Sequence, residues 1–360
     1  MHSVVAGGPG FVAVGGSDIW FGNDAANDAA VWTSVDGLTW SRVPHDEGVF
    51  SAPGWAILLM RSVVVGGPGL VAVGSVEVRG ERDAAVWTSV DGLVWSRVPH
   101  DEAVFGGPDS QTMFEVVAGG PGLVAVGQDG TMDDYAGAVW TSLDGLTWSR
   151  VPRNATAFGS GSSMSSVVVW GEGLVAVGTD RPADGHAAAV WTSPDGLVWS
   201  RVPHDEAVFG GPGDQWMRSV VVGGPGLVAV GVDASGGGVG EWDAAVWTSV
   251  DGLTWSRVPH DEAVFGGPDT QAMTAVASGG PGLVAVGREG EHSLYVAAVW
   301  VSSDGLVWSR VRHDEAVFGG ENDEHLMYSV VAAGPGWIAV GSSGLAGGEV
   351  AAVWVSPPQP

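Results

Sequence analysis

Five times along the chain a histidine stands beside two carboxylates: His45-Asp46-Glu47, His100-Asp101-Glu102, His204-Asp205-Glu206, His260-Asp261-Glu262 and His313-Asp314-Glu315. An imidazole next to carboxylates has the makings of a metal site or a general base. Arg42, Arg97, Arg150, Arg201, Arg257 and Arg310 recur in the same way and have the chemistry to grip anions. Repetition argues against both as an active centre. Copies in successive units of a repeated fold are carried to separate places, so they cannot converge, and a structural or solvated role is expected of them. The third unit has Arg153-Asn154 where the others have His-Asp. Asp18, Asp24 and Asp28 offer oxygen ligands of the kind Ca²⁺ takes. Exposed acidic loops are commoner, and the reading assigns no metal and no cofactor.

The repeat that carries these residues is marked by Val-Trp, which returns at Trp32, Trp87, Trp140, Trp191, Trp247, Trp300 and Trp354. Each unit reads Met-x-Ser-Val-Val, Gly-Gly-Pro-Gly, Leu-Val-Ala-Val-Gly, a variable stretch, Ala-Ala-Val-Trp-Thr-Ser, Asp-Gly, and Leu-Thr-Trp-Ser-Arg-Val, with small variations. Val, Trp and Thr favour pleated sheet, and Gly-Pro-Gly and Asp-Gly supply tight turns, so each unit predicts four short strands. Helical periodicity is absent. Four strands repeating every 50 residues or so are the signature of radial blades. The expected fold is all-β, a seven-bladed β-propeller of four-stranded antiparallel blades. One domain spans 1–360, in units of approximately 1–59, 60–112, 113–163, 164–216, 217–272, 273–326 and 327–360. With Asp91-Gly92 as the hairpin turn, Trp95 is expected opposite Thr88 and Trp87 opposite Ser96, one ring on each face of the blade.

Charge narrows the partners. Against 41 Asp and Glu stand 14 Arg and no Lys, a formal net charge of −27. Such a surface repels phosphate backbones and anionic membranes, so neither nucleic acid nor membrane is expected, and acidity keeps an apolar sheet protein in solution. The 59 Gly and 20 Pro break every apolar run well short of a bilayer span. The start, Met1-His2-Ser3-Val4-Val5, does not read as a signal peptide, which makes cytoplasm the default location. With no Cys, disulfides and thiolate chemistry are excluded.

Ser34-Val35-Asp36-Gly37-Leu38-Thr39-Trp40 resembles the Asp-box, or bacterial neuraminidase repeat, and copies follow at Asp91, Asp144, Asp195, Asp251 and Asp304. Two departures stand out: Gly follows Asp directly, and Val94, Val198 and Val307 replace Thr. The resemblance implies a propeller in which the box joins the third and fourth strands, Ser and Asp hold the turn, and Trp packs the core. It covers sialidases and many non-enzymatic proteins. A sialidase would bring three convergent Arg, a Tyr activated by Glu and an acid Asp. Here Arg61, Arg218 and Tyr328 could face the channel mouth, but the Arg-Ile-Pro signature is missing and no third Arg has an evident place.

Function is therefore sought where the copies differ. Strand order puts the constant Gly-Gly-Pro-Gly and Asp-Gly turns on one rim and the variable stretches, including 16–28 and 232–243, on the other. Trp20, Phe21, Tyr135, Trp242 and Tyr295 stand in the variable loops, and Trp216 in a blade connection. Directly after the repeated Met, at the mouth of each innermost strand, come His2, Arg61, Phe114, Ser165, Arg218, Thr274 and Tyr328. Aromatics and Arg give large contact area and directional bonds. The expected function is a non-enzymatic binding or scaffold propeller that recognises a protein or glycan through Trp20, Phe21, Arg61, Phe114, Tyr135, Trp216, Arg218, Trp242, Tyr295 and Tyr328. The alternatives are a sialidase-like glycoside hydrolase, or a structural repeat without ligand. The seventh unit ends on Pro357-Pro358-Gln359-Pro360 without a Leu-Thr-Trp-Ser-Arg-Val strand. That predicts a last blade of three strands, with an edge that either the prolines protect or a weak dimer covers.

Overall fold

The computed structural model describes all residues except 22–23, 55, 132–133, 182–184, 236–241, 281, 291–294, 320–323, 335, 345–348 and 357–360, and it describes the backbone alone for 18–21 and 24–26. The terminal prolines and the Trp20, Phe21, Asp18 and Asp24 side chains thus lie outside the described residues. The described residues form 27 strands, antiparallel within each unit. They group as an eight-stranded sheet made by the first two units, then four sheets of four strands, then one of three. A single parallel bridge, Asn27 to Ile57, joins the first two units. Contacts divide the chain into two compact units, Met1–Leu174 with Ser193–Ser200 and Val175–Thr192 with Arg201–Pro360. Residues 16–28, read from the sequence as a loop, instead extend a hairpin in which Gly10–Phe21 pairs with Asp24–Ser34.

The Asp-Gly turns are held by side chains. Asp91 Oδ1 accepts from the amides of Leu93 and Val94, at 2.8 and 2.9 Å, and Ser89 Oγ accepts from Gly92 N–H at 2.8 Å. Gly92 has φ +81°, a conformation open to Gly and costly for L side chains. The same bonds recur at Asp36, Asp144, Asp195, Asp251 and Asp304, and in each case the two amides hold the carboxyl below its ordinary range. These carboxylates favour the fold above about pH 4 and lose that contribution as pH falls through their lowered pKa.

This turn corrects the expected register. Thr88 faces Ser96, Ser89 faces Trp95 and Trp87 faces Arg97, a slip of one residue. The capped Asp turn spans five residues, Val90 to Val94, so the fourth strand starts one position later than a tight hairpin allows. A slip of one moves a side chain to the other face. Trp87 and Trp95 therefore share a face, and both enter one cluster with Val12, Val14, Ala29 and Val31 of the preceding unit. The opposite face offers Val71, Val73, Ala84 and Val86 to Trp140 and Trp148 of the next. In the second compact unit, Trp300 and Trp308 likewise meet Val228, Val230, Ala244 and Val246. Each buried ring removes roughly 150–250 Å² from water, which at about 25 cal/mol per Å² makes these faces the main source of cohesion.

The His-Asp-Glu segments form what the sequence pattern did not suggest, one-turn helices at Glu47–Phe50, Glu102–Phe105, Glu206–Phe209, Glu262–Phe265 and Glu315–Phe318. The Asp is the N-cap: Asp101 accepts from Ala103 N–H at 3.0 Å. Asn154 does the same for Thr156 in the third unit. Phe105 is buried, and the carbonyl of the preceding Val104 accepts from Trp140 Nε1 of the next unit at 2.7 Å. The short helix thus satisfies the one polar atom of an otherwise buried ring. The repeated Arg are also structural, as expected: Arg150 pairs with Asp129, Arg201 with Asp180 at 2.7 Å, Arg257 with Asp233 and Arg310 with Glu289.

The residue after the repeated Met is a β-bulge. Met217 pairs with Gly231 and Ser219 with Val230, which leaves Arg218 outside the ladder. Arg61, Phe114, Thr274 and Tyr328 are left out in the same way. The bulge explains the Gly that closes Leu-Val-Ala-Val-Gly, because a Cβ on Gly231 would overlap the carbonyl oxygen of Trp216. Gly231→Ala should therefore cost about 2 kcal/mol or more in denaturation experiments. Gly159→Ala, with nothing within 4 Å of the added carbon, should stay within about 0.5 kcal/mol. Equal stability of the two variants would show that the bulge does not need its glycine.

Candidate functional site

The divergent residues are placed by two main-chain devices. One is the bulge. The other lies five residues before the repeated Trp, where the carbonyl of Trp242 accepts from Gln271 N–H at 2.6 Å and that of Tyr295 from His325 N–H at 2.8 Å. His186 and Tyr135 use their carbonyls in the same way, toward Gln215 and Gly161. Each bond ties the end of a variable loop to the first strand of the following unit. The backbone alone does the fixing, so the side chain is left to vary.

In the second compact unit these devices bring five of the expected residues into one neighbourhood. Trp216 meets Trp242 edge-on, with centroids 5.2 Å apart, and His186 lies 5.7 Å from Trp216 on a tilted ring. The guanidinium of Arg218 stands 5.8 Å from the Trp216 ring. Arg288 lies over Tyr295 at 4.4 Å. Burial, and then the nearby Arg288, push the Arg218 pKa down to about 10, still cationic at neutral pH. Its Nε is buried without a hydrogen-bond partner among the described residues, and so is that of Arg288. Tyr328 lies within electrostatic reach of Arg288 and Glu324, and burial pushes its phenol up, away from phenolate.

Arg288 is the residue that sequence reasoning missed. It follows the bulge-opposing Gly287, one position past the constant motif, and that juxtaposition was the available signal. A buried cation with a like charge beside it and no carboxylate bound to it is complementary to an anion. The adjacent indoles and phenol add flat apolar surface for a ring or an aliphatic stem.

In the first compact unit, Arg61 lies 5.4 Å from the Phe114 ring. Its Nε is also buried without a partner among the described residues, and burial lowers its pKa to about 10. His2 is held neutral, its pKa lowered to about 3 by burial and by nearby positive charge. Tyr135 stands half-buried at the loop end of the third unit. Neighbouring first strands are linked by hydroxyls: Ser3 Oγ accepts from Val63 N–H and Ser62 Oγ from Val116 N–H, both at 3.3 Å. Glu115 takes the hydroxyl's place in the third unit and accepts from Val167 N–H at 2.6 Å.

No protein-family model and no curated protein matches the chain. Among solved structures, a Trypanosoma rangeli sialidase in complex with sialic acid aligns with a TM-score of 0.55 at 16% identity, covering 84% of this chain and 54% of the sialidase. Sqt1 from Chaetomium thermophilum aligns with a TM-score of 0.50 at 13% identity, covering 98% of this chain and 85% of Sqt1. The fold is a seven-bladed β-propeller. Among the described residues the last blade has three strands, Glu324–Ala333, Gly336–Gly344 and Val350–Val355, as its sequence predicted. At these identities the likeness shows fold alone, and the chain spans little more than half of that sialidase.

Within the propeller, Glu115 carries a pH dependence. Burial pushes its carboxyl up to about 7, against the pull of bonds from Ser166 and Val167. A raised acid favours folding fully below its unfolded value near 4.5, and that contribution is lost as pH rises through about 7. The denaturation midpoint of the native chain, measured relative to Glu115→Gln, should fall between pH 5 and pH 8. A difference that stays flat would place the carboxyl in water.

Proposed function

We propose that this propeller is a non-enzymatic binding module that recognises a protein or glycan through a surface centred on Trp216, Arg218 and Trp242, with Arg288, Tyr295 and Tyr328 beside them. The carrying observation is that Arg218 and Arg288 are partly buried, adjacent, and each keep a buried Nε without a hydrogen-bond partner among the described residues of a chain with net charge −27. Four of the six repeated Arg are matched to a carboxylate, which makes the unmatched pair a feature of the site rather than of the fold. Its ligand then carries an anionic group, such as an acidic side chain, a chain terminus or an acidic sugar, next to a planar or apolar part. Arg61 and Phe114 are assigned to recognition on the same grounds. Trp20, Phe21 and Tyr135 are assigned to it by their loops alone.

The Asp-Gly turns are read as Asp-box copies with a purely structural role, since Ser, Asp and Trp are all engaged within the turn. A weak dimer through the exposed outer strand Val350–Val355 belongs to the same proposal; light scattering should then show a dimer that dilution dissociates. A sialidase-like hydrolase is the second reading, favoured by Tyr328 beside Arg288 and Glu324. Its weakness is chemical, because a phenol pushed up by burial is a poor nucleophile at neutral pH.

Glycan and acidic-peptide arrays supply the test. The double change Arg218→Ala with Trp242→Ala should weaken the best binder by about 2 kcal/mol or more, roughly 30-fold, with little change in melting temperature. Asp251→Ala should do the reverse: lower melting temperature, unchanged affinity. Turnover of a sialoside that Tyr328→Phe abolishes would replace the binding reading with the hydrolytic one. Binding untouched by the double change would move the site elsewhere.

A further inference from the structure

Two of the five His-Asp-Glu segments bring an imidazole and two carboxylates together, whereas among the described residues His45 pairs with the one carboxylate of Asp28 at 3.5 Å and His313 with that of Glu289 at 3.4 Å. His100 Nε2 lies 3.1 Å from Glu102 Oε2 and 3.9 Å from Asp83 Oδ2. In the fifth blade His260 Nε2 lies 3.1 Å from Glu262 Oε2 and 3.8 Å from Asp243 Oδ2. In both places the three donor atoms lie within 4.8 Å of one another. Asp101 and Asp261 between them are occupied by helix caps, so the flanking His and Glu converge across the cap while the middle carboxylate is held back. The third donor comes from the start of the blade's third strand, four residues before the buried Trp. In the fourth blade that position is Ala187, and His204 there meets Glu206 alone.

The donor set is an imidazole nitrogen with two carboxylate oxygens, at atoms that still reach solvent. A nitrogen donor selects against Ca²⁺ and Mg²⁺, and three protein donors with an open fourth position are a coordination that Zn²⁺ accepts. Asp83 and His100 also line a cleft of about 390 Å³, together with Val76, Arg97 and Phe105, which gives room for a hydrated ion and a further ligand.

We propose that His100, Asp83 and Glu102 bind a divalent transition-metal ion of the Zn²⁺ class, and that His260, Asp243 and Glu262 form a second such site. Each site belongs to one blade and is independent of the recognition surface proposed above. Titration calorimetry of the full chain with Zn²⁺ should give two equivalents, and Co²⁺ should give a visible absorption that Zn²⁺ abolishes. His100→Ala should leave one equivalent. His100→Ala with His260→Ala should leave none, while His204→Ala keeps both. All three histidines reach solvent, and an unchanged melting temperature without metal checks that the variants fold. No Zn²⁺ uptake, or two equivalents retained in the double variant, would overturn the proposal.

Discussion

The structure depends on an unequal pair of faces. Each four-stranded blade turns its two repeated indoles one way and its valines the other, and the three best-defined blade-to-blade contacts within the compact units each join an indole face to a valine face. A contact of this kind is directional, since a blade cannot stack indole on indole without leaving a valine face open. The Asp turn sets the direction. By spanning five residues rather than four it brings the outer Trp onto the same face as the inner one, and a shorter hairpin would split the pair. The one-turn helices close the arrangement by giving the indole N–H of Trp87, Trp140, Trp247 and Trp300 a carbonyl from the preceding connection.

That constraint decides where the chain is free to vary. Positions in the stacked faces must repeat, and so must the glycines opposite the bulges, the caps and the ion-paired Arg. The bulge residue and the residue five before the Trp escape because the main chain, not the side chain, makes their structural bonds. Diversity therefore collects at these positions with no cost to the stack. Trp216 and Arg218 meet Trp242 within their own blade and His186 at the loop end of the preceding one, because loop ends and bulges stand at corresponding places in successive blades.

The strands, the turns, the blade number and the short seventh blade were all legible in the sequence, because each rests on local chemistry repeated seven times. The register was not: the pattern shows where Asp-Gly lies but not that Ser89 and Asp91 hold three further residues in the turn. The one-turn helices escaped periodicity because four residues cannot show a period, although Asp before Glu-Ala-Val-Phe is a cap signal. Of the site, the aromatic residues were found by their divergence alone. Arg288, Asp83 and Asp243 were missed since their partners lie far along the chain; Asp83 and His100 become neighbours only when the third strand pairs with the fourth.

Electrostatics separates the two kinds of surface this leaves. At four of the six repeated arginines the fold supplies a carboxylate at the end of the second strand, and the pair contributes no net charge. Surplus acid then spreads over exposed loops and turns, and long-range repulsion among the blades is tolerated because the stacking faces are apolar. Against that negative background, an unpaired cation beside indoles is unfavourable until something anionic arrives, and burial of its Nε makes water a poor substitute. The acidic surroundings cut the other way for kinetics. They slow the approach of any anionic ligand, so affinity at such a site must come from slow release, from close packing on Trp216 and Trp242, and not from electrostatic steering.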